Sequence, residues 1–288
     1  MVNELWKREF RPHFFRVEHH KPHQFVLCQW QSQEEVHIGY FFYRWFMAAV
    51  FLISMICSIC DVGRSADFGI KYKKWAIYLT NWGYTICTLQ AILGASLITQ
   101  QFLQQKRQGK YIPVRKRLPI GYQLYWVFHT IAVVLALGIT VVYWATVYSP
   151  ENHRLDVLNV LVHACNSIFM LIDFLLVAHP FRLLHCYWPF LFTGCYVFFN
   201  FVYYEFGGTD RHERSYIYPL LDWRRPRRSI LATVFGLIFV LAVHCVVWVL
   251  FLLRRWVAVA MNKKSDPEAS GDICQATSTS IQMDVVEC

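Results

Sequence analysis

The 288 residues are 56% hydrophobic and 17% aromatic, with 16% charged side chains and a formal net charge of +9. So apolar a chain with so few charges excludes an ordinary soluble domain. The cationic excess gathers in loops and tails, so it reflects membrane topology and anionic headgroups and excludes a nucleic-acid interface.

Residues 1–40 read as a basic, aromatic tail. Lys7, Arg8, Arg11 and Arg16 alternate with Trp6, Phe10, Phe14 and Phe15, a composition suited to lying along a membrane interface. Its histidines, His13, His19, His20 and His23, fit no defined metal-site spacing. The first apolar run begins near residue 40, too late for a cleavable signal peptide, and neither end carries a myristoylation or prenylation pattern.

Four long runs then contain no Asp, Glu, Lys or Arg: Trp75–Thr99, Leu118–Ser149, Leu183–Tyr204 and Ser229–Leu253. Two more hold a single charge each, Arg44 within Phe41–Cys60 and Asp173 within Val157–Ala178. About 20 apolar residues cover a hydrocarbon core of about 30 Å. The expected fold is therefore all-α, a polytopic helical bundle with spans near 41–60, 75–99, 120–147, 157–178, 187–204 and 229–253. From residue 259 the chain turns polar and Ser/Thr-rich and is expected to be disordered.

With six spans both ends share a side. Placing them in the cytoplasm puts 16 of the 28 Lys and Arg inside and 11 outside, with Arg44 within a span. The run "KRQGKYIPVRKR" (Lys106–Arg117) favours this orientation, and "RRPRR" (Arg224–Arg228) opposes it. An integral protein of the plasma membrane or endoplasmic reticulum is expected. Most of the ten cysteines fall inside spans and read as small apolar residues, the Cys57–Cys60 pair included. No metal or cofactor is expected.

The fourth span carries polar groups where each costs free energy. Asn159, His163, Asn166, Met170 and Asp173 are spaced 4, 3, 4 and 3, which places them on one helical face. Such a stripe is either interhelical hydrogen-bond glue or the lining of a functional interior. The second span presents Thr80, Tyr84 and Thr88 along one face. The second and fourth spans run in the same direction, and Thr80 and His163 both fall about 8–12 Å below the boundary at about 1.5 Å per residue. A hydroxyl beside a neutral imidazole is the minimum for nucleophilic acyl chemistry, so Thr80 and His163 form a candidate catalytic pair, with Asn159 and Asn166 supporting it. Asp173 lies about 15 Å along the helix from His163, too far to complete a triad. By depth it belongs with Arg44, as a charge pair, unless Arg44 snorkels to the interface. His129 and His244 lack a comparable stripe and read as structural.

The segments "MVNELWKREF", "QFVLCQWQ", "WAIYLTNWGY" and "YIYPLLDWRRP" together resemble the rolling stone proteins, over nearly the whole chain to about residue 260. The resemblance implies a membrane-spanning protein associated with myoblast fusion in muscle development. That family is in turn distantly similar to the androgen-induced membrane hydrolases, which cleave fatty acid esters of hydroxy fatty acids with an intramembrane Thr and His. Thr80 follows a Trp-containing helix start, as theirs does. His163 lies four after Asn159, with Asp173 ten beyond, also as in that family. Val160 and Ala164 stand where the hydrolases carry further His and Thr residues. Two functions follow: support of cell–cell fusion, or lipid ester hydrolysis with membrane lipid, a fatty acid ester, as the partner.

Overall fold

A computed structural model describes residues 9–19, 21–33, 35–63, 74–108, 118–149 and 155–265. The Lys106–Arg117 run, the first eight residues and the polar C-terminal tail lie largely or wholly outside them. Six long helices follow one another: α1 Ile38–Ile59, α2 Leu79–Gln108, α3 Ile120–Val142, α4 157–176, α5 Tyr187–Glu205 and α6 Pro226–Ser265. Five of them are long and apolar enough to cross a membrane. The exception is α5, whose 19 residues are rich in Tyr, Trp and Phe and therefore less hydropathic. At about 1.5 Å per residue it still approaches the thickness of a hydrocarbon core.

Outward faces are apolar, as lipid demands. Phe42, Phe46 and Ile53 on α1 and Phe235 and Ile238 on α6 are all exposed. Inside, Phe51, Cys87, Ala91, Ala95, Ala132, Ala136 and Val247 form the centre of a close-packed core. The small residues on α2 and α3 bring those two helices into the closest association in the bundle.

Two helices contain a wide π-helical turn. One turn continues α3 over Tyr143–Val147, and the other lies in α4 at Leu161–Cys165. The α4 stripe is therefore not one uninterrupted α-helical face. The wide turn displaces backbone carbonyls from the regular ladder, and the Thr140 hydroxyl donates to the His163 carbonyl at 2.6 Å.

The N-terminal segment corrects the expectation of an interface-lying tail. Phe14, Phe25 and Val26 are buried, the latter two among Tyr122, Tyr125 and Trp126 of α3 and Leu97 and Ile98 of α2. Phe10, Phe15 and Trp30 remain exposed. Backbone pairing reinforces the plug, because Cys28 bridges to Val177 and the Gln29 amide donates to the Leu176 carbonyl at 2.8 Å. Arg182 then clamps it, donating to the carbonyls of Arg16 and Glu18 at 2.8 and 2.7 Å with its guanidinium over the Phe14 and Trp126 rings. Aromatic side chains that could have rested in headgroups bury more area by closing the end of the bundle.

Candidate functional site

Arg44 and Asp173 meet in the interior. Arg44 Nη1 donates to Asp173 Oδ1 at 2.5 Å, with the two side chains 2% and 0% exposed. A charge at that depth cannot persist alone, and the ion pair removes the need for either to reach water. Both partners have further support. Arg44 Nη2 donates to the Tyr125 hydroxyl at 3.1 Å, and the Tyr43 hydroxyl donates to Asp173 Oδ1 at 3.1 Å.

Room for the guanidinium comes from α2. A Cβ added at Gly94 would overlap Arg44, falling 2.7 Å from its Cζ. Any side chain there would displace the cation from its acid.

The network extends further than the sequence indicated. His129 Nε2 lies 3.5 Å from Asp173 Oδ2, so His129 belongs to this centre rather than being an isolated packing residue. Its ring meets that of His179 edge to face at 4.6 Å between centroids. Arg254, near the end of the apolar run of α6, is 3% exposed and donates to the carbonyls of Phe174 and, at 3.1 Å, His179. It thereby caps the C-terminal carbonyls of α4, where the helix dipole favours a cation. The stripe that singled out His163 passed over His129, whose one sequence mark is an ionisable group in the charge-free run Leu118–Ser149. Gly94, His179 and Arg254 leave no such local signature. His244 is bound to the carbonyls of Arg182 and Leu183 and remains a structural residue.

The polar groups expected nearer the other end are placed differently. Asn159 Nδ2 donates to the Tyr143 hydroxyl at 2.5 Å, and the Asp156 carboxylate caps the start of α4 through the Asn159 amide. Asn166 is 2% exposed. Met170 receives the Gln90 amide at 3.5 Å. The His163 ring stacks flat on Tyr143 at 3.5 Å between centroids. These contacts make Asn159 and His163 a joint between two π turns, α3 against α4.

Thr80 has a different hydrogen-bonding neighbour. Trp75–Ile77 forms a short 3-10 turn, closed by Asn81 and Trp82 side chains donating to the carbonyls of Trp75 and Ala76. The α-helix therefore starts at Leu79, and Thr80 lies in its first turn rather than five residues along it. Its hydroxyl faces the Tyr218 phenol, which also accepts from the Leu79 amide at 3.1 Å. Burial pushes the pKa of that phenol up to about 12. Among the described residues no hydrogen bond joins Thr80 to His163. Nor do those residues hold a cluster of three or more His, Cys, Asp or Glu able to bind a metal.

Comparison with known proteins places the chain. No solved structure matches it. Protein rolling stone of Drosophila melanogaster is 28% identical over 275 residues, 92% of this chain and 96% of the relative. A family model described as "Protein rolling stone" matches residues 2–273. With that match across almost its whole length, a chain of six helices closed around a buried charge network belongs to the rolling stone family.

Proposed function

We propose that this protein supports myoblast fusion during muscle development as a multi-pass membrane protein, with both termini cytoplasmic and the bundle itself as its working part. The observation that carries this reading is where the chain places its polar groups. The connections at the end opposite the N-terminal plug are short, the longest being residues 206–225. Below about 40 residues a chain seldom folds unaided, so these connections supply no independent adhesive domain. Buried polar groups instead concentrate between the helices, where they fix one arrangement of the bundle.

The test is depletion of the protein in fusing muscle precursors, followed by re-expression. Depletion should leave cells mononucleate, and the wild-type chain should restore multinucleate cells. Normal fusion after complete depletion would sink the proposal. The hydrolase reading is separable in the same cells. Thr80→Ala and His163→Ala, each at normal abundance, should restore fusion as the wild type does. Failure of both would point back to ester cleavage by that pair.

A further inference from the structure

At the plugged end, a half-open cleft of ≈ 100 Å³ lies between the N-terminal segment and α6. Two cations line it, Lys21 from the segment and Arg255 from the helix, together with the amides of Gln24 and Gln29. Phe251 and Pro180 provide the apolar part of the wall, and none of the described residues lining it is a carboxylate. The buried Arg254 precedes Arg255 in sequence and donates at 3.1 Å to the carbonyl of His179, two residues past the C-cap of α4 and next to Pro180. Two cations thus line the cleft with a third next to one of them in sequence, and the amides supply donors without adding charge.

Depth identifies the kind of anion. The charge-free run of α6 ends at Leu253, one residue before Arg254. Trp256 follows at 68% exposure, the position of an aromatic belt at the headgroup level. Trp30 is also exposed at this end, its indole donating to the Leu175 carbonyl at 2.9 Å. A basic cleft between helices at that level, with an apolar wall, matches a phosphate whose acyl chains continue into the bilayer. We propose that this cleft binds the phosphate of an anionic phospholipid headgroup, held by Lys21 and Arg255 and oriented by Gln24 and Gln29. The site would bind a lipid across the seam between the N-terminal plug and α6, stabilising the closed end of the bundle.

The experiment uses the purified full-length chain in nanodiscs of phosphatidylcholine, with or without phosphatidylglycerol, whose only charge is its phosphate. Lipid retained after gentle extraction is read by native mass spectrometry, alongside the melting temperature. Phosphatidylglycerol should be retained selectively and should raise the melting temperature. Lys21→Gln and Arg255→Gln should each weaken retention roughly fivefold, from the contribution of one cation near a headgroup. Gln29→Glu, which keeps the side-chain bulk and adds a repelling charge, should also weaken it, and serves if either cation variant fails to fold. Arg225→Gln removes an equal charge from the exposed opposite end and should have no effect. Equal loss in Arg225→Gln would show general surface attraction and overturn the proposal. So would stabilisation by inorganic phosphate alone with the same variant dependence, which would assign the cleft to the free ion.

Discussion

Arg44 is a cation with an acid, a phenol and a glycine arranged around it. The Asp173 carboxylate is also approached by Tyr43 and His129. Removing one member of a buried pair leaves the other uncompensated, at a cost of about 3–5 kcal/mol. Arg44→Ala and Asp173→Ala should therefore each lower folded abundance, and the double variant should recover part of the loss because no lone charge remains. Strictly additive losses, measured as thermal stability in detergent, would contradict a coupled pair. Gly94→Val should reproduce the single-variant loss although it alters no charge, since the new side chain occupies the guanidinium's place. The pairing of Arg44 with Asp173 was legible from depth along two spans. The space for it was not, because a glycine's neighbour across a helix interface has no mark in sequence.

Among the elements, the N-terminal segment is held by few but specific contacts. Arg182 supplies two hydrogen bonds to carbonyls at 16 and 18 and stacks between two rings. Arg182→Ala should free the segment without unfolding the helices. Limited proteolysis should then cut near Arg16 and Lys21 at least several times faster, with the helical circular dichroism unchanged. An unaltered cleavage rate would mean that Phe25 and Val26 alone hold the plug. The wide turns in α3 and α4 show the opposite limit of sequence reading. The 4-3-4-3 spacing from Asn159 to Asp173 fits an α-helix throughout, yet the backbone opens at Leu161–Cys165, where the His163 carbonyl accepts from the Thr140 hydroxyl of another helix. That choice depends on a partner outside the segment. The same is true of Thr80, whose place in its helix follows from the 3-10 turn that precedes it.

For the molecule as a whole, α1 begins and α6 ends at the plugged end, since both contribute residues there. If α5 crosses as do the five helices long and apolar enough to span, the two termini share a side, and the proposed orientation with both in the cytoplasm follows from the distribution of cations. For protein at the plasma membrane, tags fused to each terminus should both be accessible only after permeabilisation, while a tag in the connection between α5 and α6 should be accessible in intact cells. A terminus that stains without permeabilisation would break either the helix count or the orientation.

The sequence by itself determined that the chain is helical and membrane-embedded, because charge-free runs of this length must satisfy their backbone hydrogen bonds internally once in lipid. It also placed the two intramembrane charges at matching depths. Only the tertiary structure decided what surrounds them. The two histidines, the second arginine and the glycine come from four separate segments that meet only when the bundle closes. Tertiary packing likewise drew the aromatic N-terminal segment into the bundle and gave Thr80 and His163 different neighbours. Periodicity reports which face a residue takes on its own helix, whereas contact across helices depends on where each helix begins and how its neighbours rotate.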